Sequence, residues 1–188
     1  MFSFVAVMGE LKIEIWLKAG YDLLGAEGME GVKIERIARS LGLNKSGFYY
    51  YFKTMEGYLT CLVQYHVHMA GEVAAEILRC QRIDPDLLRL IVRRKSFFLV
   101  ESQLLVKSRF VHIKYGDDEA GKIITSELLN FWKRSNNELN TDVAVAYLNI
   151  IRHFIYARID AENITYEFLH DLAVETKKAF EKIALAAT

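Results

Sequence analysis

Apolar residues return at every third or fourth position through most of this chain. From Leu11 to Leu24, the positions Leu11, Ile15, Ala19 and Leu23 recur at four-residue spacing. Ile13, Trp16, Leu17, Gly20 and Leu24 widen that stripe, as in an amphipathic helix. Gly25, Gly28 and Gly31 break it. Lys33–Leu41 repeats the pattern in short form, with Ile34, Ile37, Ala38 and Leu41 on one side. Gly42 stops this helix, and Asn44 stands where it can cap a second short one, Lys45 to Tyr51. Longer amphipathic segments follow over Glu56–Arg82, Pro85–Ser102, Gln103–Lys114, Asp117–Asn137, Asp142–Arg158 and Tyr166–Ala186. Asp84 ahead of Pro85, and Asn163-Ile-Thr165, read as helix starts.

Helix, glycine, apolar residue, cap, helix is the spacing of a helix-turn-helix. Ala38, four residues before Gly42, is small enough to let the second helix cross closely. Gly42 supplies a left-handed turn. Leu43 is expected to turn inward and fix the crossing angle by its burial.

Composition sharpens the fold class. The only proline among 188 residues is Pro85, and eight of the eleven glycines precede residue 60. Strand-rich folds need turn residues about every 8–12 positions, and the rear of the chain has no such supply. The chain is expected to be all-α, with about nine helices. At 52% hydrophobic and 12% aromatic residues it can bury a sizeable core. The 24 Lys plus Arg balance 24 Asp plus Glu, which argues against a globally basic nucleic-acid coat protein. A local basic face survives that balance. From Lys33 to Met55, the bases Lys33, Arg36, Arg39, Lys45 and Lys53 meet the single acid Glu35, a local net of +4.

Cys61 and Cys80 would lie about 28 Å apart on one helix, too far for a bridge, which suits a reducing cytosol. Residues 1–8 are apolar but lack the basic start of a signal peptide. They are expected to form a loosely docked tail, with Met8 an alternative start. No run approaches the roughly 18 apolar residues of a membrane span, so a cytoplasmic protein is expected.

Gly28–Leu59 reads GMEGVKIERIARSLGLNKSGFYYYFKTMEGYL, and it resembles the DNA-binding domain of TetR-family transcriptional regulators. Trp16-Leu-Lys-Ala-Gly20, Leu23-Leu24 and Gly28 look like that family's first helix. Ile37-Ala38, Gly42, Asn44-Lys-Ser-Gly47, Tyr49-x-Tyr-Phe52, Glu56 and Leu59 fall in register after it. The resemblance implies an N-terminal three-helix helix-turn-helix DNA-binding domain over residues 1–55. It also implies an effector-binding and dimerisation domain over residues 56–188. The implied partners are a double-stranded DNA operator, a second copy of the chain and a small-molecule effector.

The residues themselves suit DNA. A recognition helix aims its N-terminal side chains at base edges, which assigns Lys45 and Ser46 to groove contact. Tyrosine hydroxyls donate to phosphate oxygens while their rings cover sugars, which assigns Tyr49, Tyr50, Tyr51, Lys53 and Lys33 to the backbone. By resemblance, Tyr49 and Tyr51 hold phosphate-contact positions, while Phe48 and Phe52 belong to the small core. Two departures stand out: Met55 where the family usually has Lys, and Lys33 where it has Ser or Thr. Gly47 inside the recognition helix costs up to about 1 kcal/mol of helix stability.

In Tyr166–Ala186 the apolar residues occupy an arc of about 160°, and in Asp142–Arg158 one of about 200°. So broad a face predicts contact with another chain, and the resemblance places the dimer interface on these last two helices. The expected interface residues are Tyr147, Ile151, Phe154, Leu169, Ala173 and Phe180. The resemblance also implies a small-molecule pocket among the helices of residues 60–160. Polar residues within their apolar stretches are its candidate liners: Tyr65, His68, Arg93, Glu101, Arg109, His112, Trp132, His153 and Tyr156. Their aromatic character points to an apolar or aromatic effector. His66 and His68 lie on different helix faces, and His68 with Glu72 lacks a third ligand, so neither a metal nor another cofactor is expected. There is no Gly-rich phosphate loop and no Cys–His or Ser–His arrangement, so an enzyme is not expected. The reading is a homodimeric repressor released from its operator by an effector. The alternative, prompted by Met55 and the neutral charge, is a helical ligand-sensing or protein-interaction module that no longer binds DNA.

Overall fold

The structure is a computed structural model and describes residues 4–107, 114–135 and 141–186. Nine α-helices and no strand occur among the described residues. They are α1 (Phe4–Glu27), α2 (Ile34–Leu41), α3 (Lys45–Phe52), α4 (Met55–Ile77), α5 (Leu88–Arg93), α6 (Lys95–Ser102), α7 (Lys114–Ser135), α8 (Thr141–Tyr156) and α9 (Tyr166–Ala186). A 3-10 turn at Met29–Gly31 and π-helical turns at Ile83–Leu87 and Gln103–Lys107 fill the joints. No helix among the described residues is long and apolar enough to cross a membrane.

Several boundaries differ from the pattern-based expectation. α1 begins at Phe4, so most of the segment read as a tail is helical. No proline interrupts α1, and it runs through Gly9, Gly20 and also Gly25, which was expected to break it, before ending at Glu27. The segment expected as Pro85–Ser102 is split at Arg94, whose φ of −101° and ψ of 29° leave the helical region. Asp84 does not cap a helix. Its carboxylate accepts from the Tyr166 hydroxyl and from His170 Nδ1, each at 2.6 Å, and so ties α9 to the α4–α5 joint. Of the expected helix Gln103–Lys114, positions 108–113 lie outside the described residues.

The buried apolar residues fall into two cores. The first packs Trp16, Tyr21 and Leu24 of α1 with Ile37 and Ala38 of α2 and Phe48 and Phe52 of α3. It borrows Tyr58 and Leu62 from α4 and Val100 from α6, so its packing runs past residue 55. The second collects Ala70, Val73 and Ile77 of α4, Leu90 and Ile91 of α5, Phe97 and Phe98 of α6, Ile124 of α7, Tyr156 of α8 and Leu169 of α9.

Candidate nucleic-acid interface

The α2–α3 turn forms as its glycine requires. Gly42 adopts φ 64° and ψ 27°. The Gly42 N–H donates to the Arg39 carbonyl and the Leu43 N–H to the Ala38 carbonyl, closing the end of α2 in a Schellman pattern. Leu43 does not plug the core; it is 43% exposed. The turn carries it past the end of α2 to the outside, and the buried side chains of Ile37 and Ala38 hold the crossing instead. α3 then starts from Asn44, whose Oδ1 accepts from the Ser46 N–H at 3.1 Å. Lys33 precedes α2 with extended backbone and contributes no side-chain cap, so the family's usual Ser or Thr has no replacement there.

α3 shows one face inward and one out. Phe48 and Phe52 are buried; Phe48 meets Trp16 edge-on at 5.7 Å between ring centroids. On the outer side Tyr49 is 49% and Tyr50 71% exposed. Tyr51 is half-buried, its ring edge-on to Tyr50 at 5.0 Å. Lys53 ends the helix with a left-handed φ of 62° and ψ of −50°. Around it the Thr54 N–H reaches back to the Phe52 carbonyl at 2.6 Å, a γ-turn of the strained hand. The Lys53 ammonium donates to the Tyr50 carbonyl at 2.9 Å and lies over the Tyr50 ring at 5.5 Å. Thr54 then caps α4 by accepting from the Gly57 N–H at 3.0 Å. A Cβ at Gly57 would stand 2.5 Å from the Phe52 carbonyl oxygen, so this tight corner needs glycine. Met55 is half-buried and packs against the first core.

The +4 face is partly neutralised from within. Lys45 donates to Glu35 at 2.6 Å, and Arg36 makes a two-pronged pair with Glu27. These hydrogen bonds are the main reason that the Glu35 and Glu27 carboxyls titrate below their ordinary range. Neither Glu27, the last residue of α1, nor the Lys45–Glu35 partnership across two helices was anticipated from sequence.

The candidate pocket residues scatter. Arg93, His68 and His153 face outward. Arg93 pairs with Glu76 at 2.6 Å, His68 with Glu72 at 3.5 Å, and His153 turns back on the Asn149 carbonyl of its own helix. Helix register places all three on the solvent side, so none lines the interior. Trp132 is half-buried, edge-on to Tyr147 at 4.7 Å between α7 and α8. Arg109 and His112 lie outside the described residues. Tyr65, Glu101 and Tyr156 do face inward, around a buried chain of hydrogen bonds that the sequence analysis missed. Tyr21 Oη meets His66 Nδ1 at 2.6 Å, and His66 Nε2 meets Glu101 Oε1 at 3.0 Å. Burial, and after it the Glu101 charge, lift the Tyr21 phenol well above its ordinary pKa. It therefore stays protonated.

Among the expected dimer residues, Leu169 belongs to the chain's own core and is not available to a partner. Ala173 packs against that core as well. Ile151 and Phe154 are half-buried, and the Arg158 guanidinium covers the Phe154 ring at 3.5 Å. The side chain of Phe180 lies outside the described residues.

Residues 17–59 match the model of the bacterial regulatory proteins of the tetR family. No curated protein matches the chain. Among solved structures, the fold is similar to a transcriptional regulator of the TerR/AcrR family from Aquifex aeolicus VF5, at TM-score 0.60 and 18% identity over 89% of this chain and 99% of that one. It is also similar to a protein from Rhodococcus sp. described as a TetR-family transcriptional regulator, at TM-score 0.59 and 15% identity over 88% and 96% of the two chains. The buried helix-turn-helix core and the matching segment coincide: residues 17–59 of this all-α chain fold as a helix-turn-helix and match the model of the tetR family of bacterial regulatory proteins.

Proposed function

We propose that this chain is a transcriptional repressor that binds operator DNA as a homodimer and releases it when a small molecule binds the helical body. The observation that carries the reading is the outer face of α3, where Tyr49 and Tyr50 stand exposed beside Lys53 over a fully packed helix-turn-helix core. A contiguous exposed apolar patch rimmed by polar groups marks an interaction surface. Tyrosine hydroxyls and an ammonium suit phosphate oxygens, while Lys45 and Ser46 at the helix start face the base edges. Lys33 adds a further cation at the start of α2.

Two recognition helices need a two-fold partner, since successive half-sites are about 34 Å apart. α8 supplies a surface for one. Val143, Tyr147, Ile150 and Phe154 follow a four-three-four spacing along one side of the helix, and Val143 and Ile150 are 55% and 59% exposed. Val174 of α9 is a further exposed apolar residue. With Ile151, this stripe is the proposed contact with a second copy. Of the pocket candidates, Tyr65, Glu101, Tyr156 and Trp132 remain placed to meet an effector within the body. Release then follows from a ligand that favours a different spacing of the two heads, through coupling of about 1–3 kcal/mol.

The test is fluorescence anisotropy with duplex DNA from upstream of the chain's own gene, titrated with salt. Replacing Tyr49 and Lys53 together by alanine is expected to weaken binding and to lower the log–log salt slope by about one. Unchanged affinity and slope overturn the assignment. The second reading, a sensing module without DNA binding, is favoured by Lys45 and Arg36 being tied to acids. Failure of the unaltered chain to bind any duplex at low salt would select it.

A further inference from the structure

Glu35 is the one acid between Lys33 and Met55, and it stands where a phosphate-binding face has least use for an anion. It lies in the first turn of α2, and its Oε1 accepts from the Lys45 ammonium at 2.6 Å. Lys45 is the first residue of α3, so this contact brings the carboxylate to the start of the recognition helix. Both side chains are more than half exposed. An ion pair so exposed adds little to stability, and stability alone does not account for an acid at this place. The Lys45 hydrogen bond is the main reason that the carboxyl titrates below its ordinary range, so at neutral pH it is an anion. Toward bare phosphate such an anion is a cost, because it cancels a neighbouring cation and repels the DNA backbone.

We propose that Glu35 is a specificity-determining residue, which accepts from the N4 amino group of a cytosine in the major groove while Lys45 donates to a guanine of the same or the adjoining base pair. The inference rests on the DNA-binding reading above and names a base of the half-site. The pair offers an acceptor beside a donor, and the four base edges meet that pattern differently. Guanine shows only its N7 and O6 acceptors, which suit an ammonium with three donors of which Glu35 takes one. Cytosine shows an N4 donor with no acceptor beside it, which suits a carboxylate that can only accept. Adenine also offers a donor, but its N7 lone pair lies alongside and faces the carboxylate with like charge. Thymine offers no donor at all. A cytosine therefore turns Glu35 from a cost into a contact, and every other base leaves the cost standing. One acid thus lowers non-specific affinity and raises discrimination together, which is the ratio that finds a site among many competitors.

The test is a selection: duplexes retained by the full chain from a randomised pool are sequenced, and single-base changes in the enriched duplex are then compared by competition anisotropy. The unaltered chain is expected to prefer cytosine at one position of each half-site by about 10-fold over any other base. Glu35→Ala is expected to flatten that position and leave the rest of the motif in place. Glu35→Gln is expected to lose the cytosine preference and gain one for adenine, because an amide both accepts and donates and so matches adenine N6 and N7. A role confined to the start of α2, where an acid favours the helix dipole, would move stability and no base preference. The same base preferences in all three proteins overturn the proposal. So does a Glu35→Ala variant that changes its affinity equally for every sequence, or a cytosine preference that survives in Glu35→Gln. If the unaltered chain enriches no sequence, the DNA-binding reading falls and this inference falls with it; an enriched motif indifferent to Glu35 sinks the inference alone.

Discussion

Gly20 of α1 lies directly against Tyr58 of α4, and Gly20→Ala puts a number on that contact. A Cβ there would stand 1.7 Å from Tyr58 Oη, 2.8 Å from its Cζ and 3.3 Å from Ile37 Cδ1. The Tyr58 ring is fully buried, with Phe48 and Phe52 at 5.0 and 4.8 Å between centroids. Its hydroxyl donates to the Trp16 carbonyl at 2.9 Å. Burial also raises its pKa, so it remains a donor throughout the working pH range. A rigid ring held on several sides cannot swing away as a lysine tail would. Overpacking of this kind costs about 1–3 kcal/mol, and losing the hydroxyl bond adds about 1 kcal/mol. Against this, alanine in a helix gains at most about 1 kcal/mol over glycine. The clash wins, and urea denaturation followed by circular dichroism is expected to show a net loss of about 1–3 kcal/mol. Tyr58→Phe alone should cost about 1 kcal/mol. Combined with Gly20→Ala it removes the worst overlap, so the double variant should be more stable than the two single losses predict, by about 1 kcal/mol. Gly20→Ala as stable as the unaltered chain, or strictly additive losses, would refute the close crossing.

Gly47→Ala should do the opposite: a Cβ there meets only the Trp16 ring, at 3.7 Å, and the substitution is expected to stabilise by about 0.5–1 kcal/mol in the same denaturation assay. A destabilised variant would show that α3 needs glycine for another reason. Glu35→Gln releases Lys45 from its ion pair, so binding to non-specific duplex should tighten and its salt slope steepen by up to about one; a flat response contradicts the neutralised-face argument. Asp84 titrates below its ordinary range because Tyr166 and then His170 hydrogen-bond its carboxylate. A lowered folded-state pKa gives stability that is present above the unfolded value, about 3.9, and lost as pH falls through the folded one. Melting temperature measured downward from pH 6 should therefore drop less steeply below pH 4 in Asp84→Asn than in the unaltered chain, and superimposable profiles would count against the clasp.

The helix-turn-helix was legible because each of its parts is local. Asn44 caps α3 two positions after Gly42, Gly42 takes its left-handed turn in place, and the Phe48–Phe52 pair follows helical spacing. The same local view misled at Leu43, because an apolar residue after a glycine says nothing of which way the turn throws it. Arg93, His68 and His153 were read as pocket candidates for being polar in apolar stretches; whether such a residue points in or out depends on neighbouring helices. Tyr21, His66 and Glu101 lie 45 and 35 residues apart in sequence. No periodicity joins three residues on three helices, and their chemistry appears only when the helices pack.

That packing bears on how a signal could travel. The first core does not end where the recognition unit ends. Val100 of α6 sits inside it, and over the single stretch Tyr21–Gly25, α1 is tied to the body several times. Tyr21 meets His66 of α4 at 2.6 Å, Asp22 accepts from Ser96 of α6 at 2.7 Å, and the Gly25 carbonyl accepts from Gln103 at 3.3 Å. Gly25 also lies close against α6, where an added Cβ would stand 3.1 Å from that of Leu99. A head on a free linker would be blind to events in the body. Here a displacement of α6 cannot leave α1 behind without breaking the Ser96–Asp22 hydrogen bond and opening a close helix contact. The recognition helix, packed on α1 through Trp16 and Phe48, follows. The reading head and the body are therefore coupled by a shared core, and the expected response to a ligand at α6 is a rigid rotation of the whole head rather than a bend at residue 55.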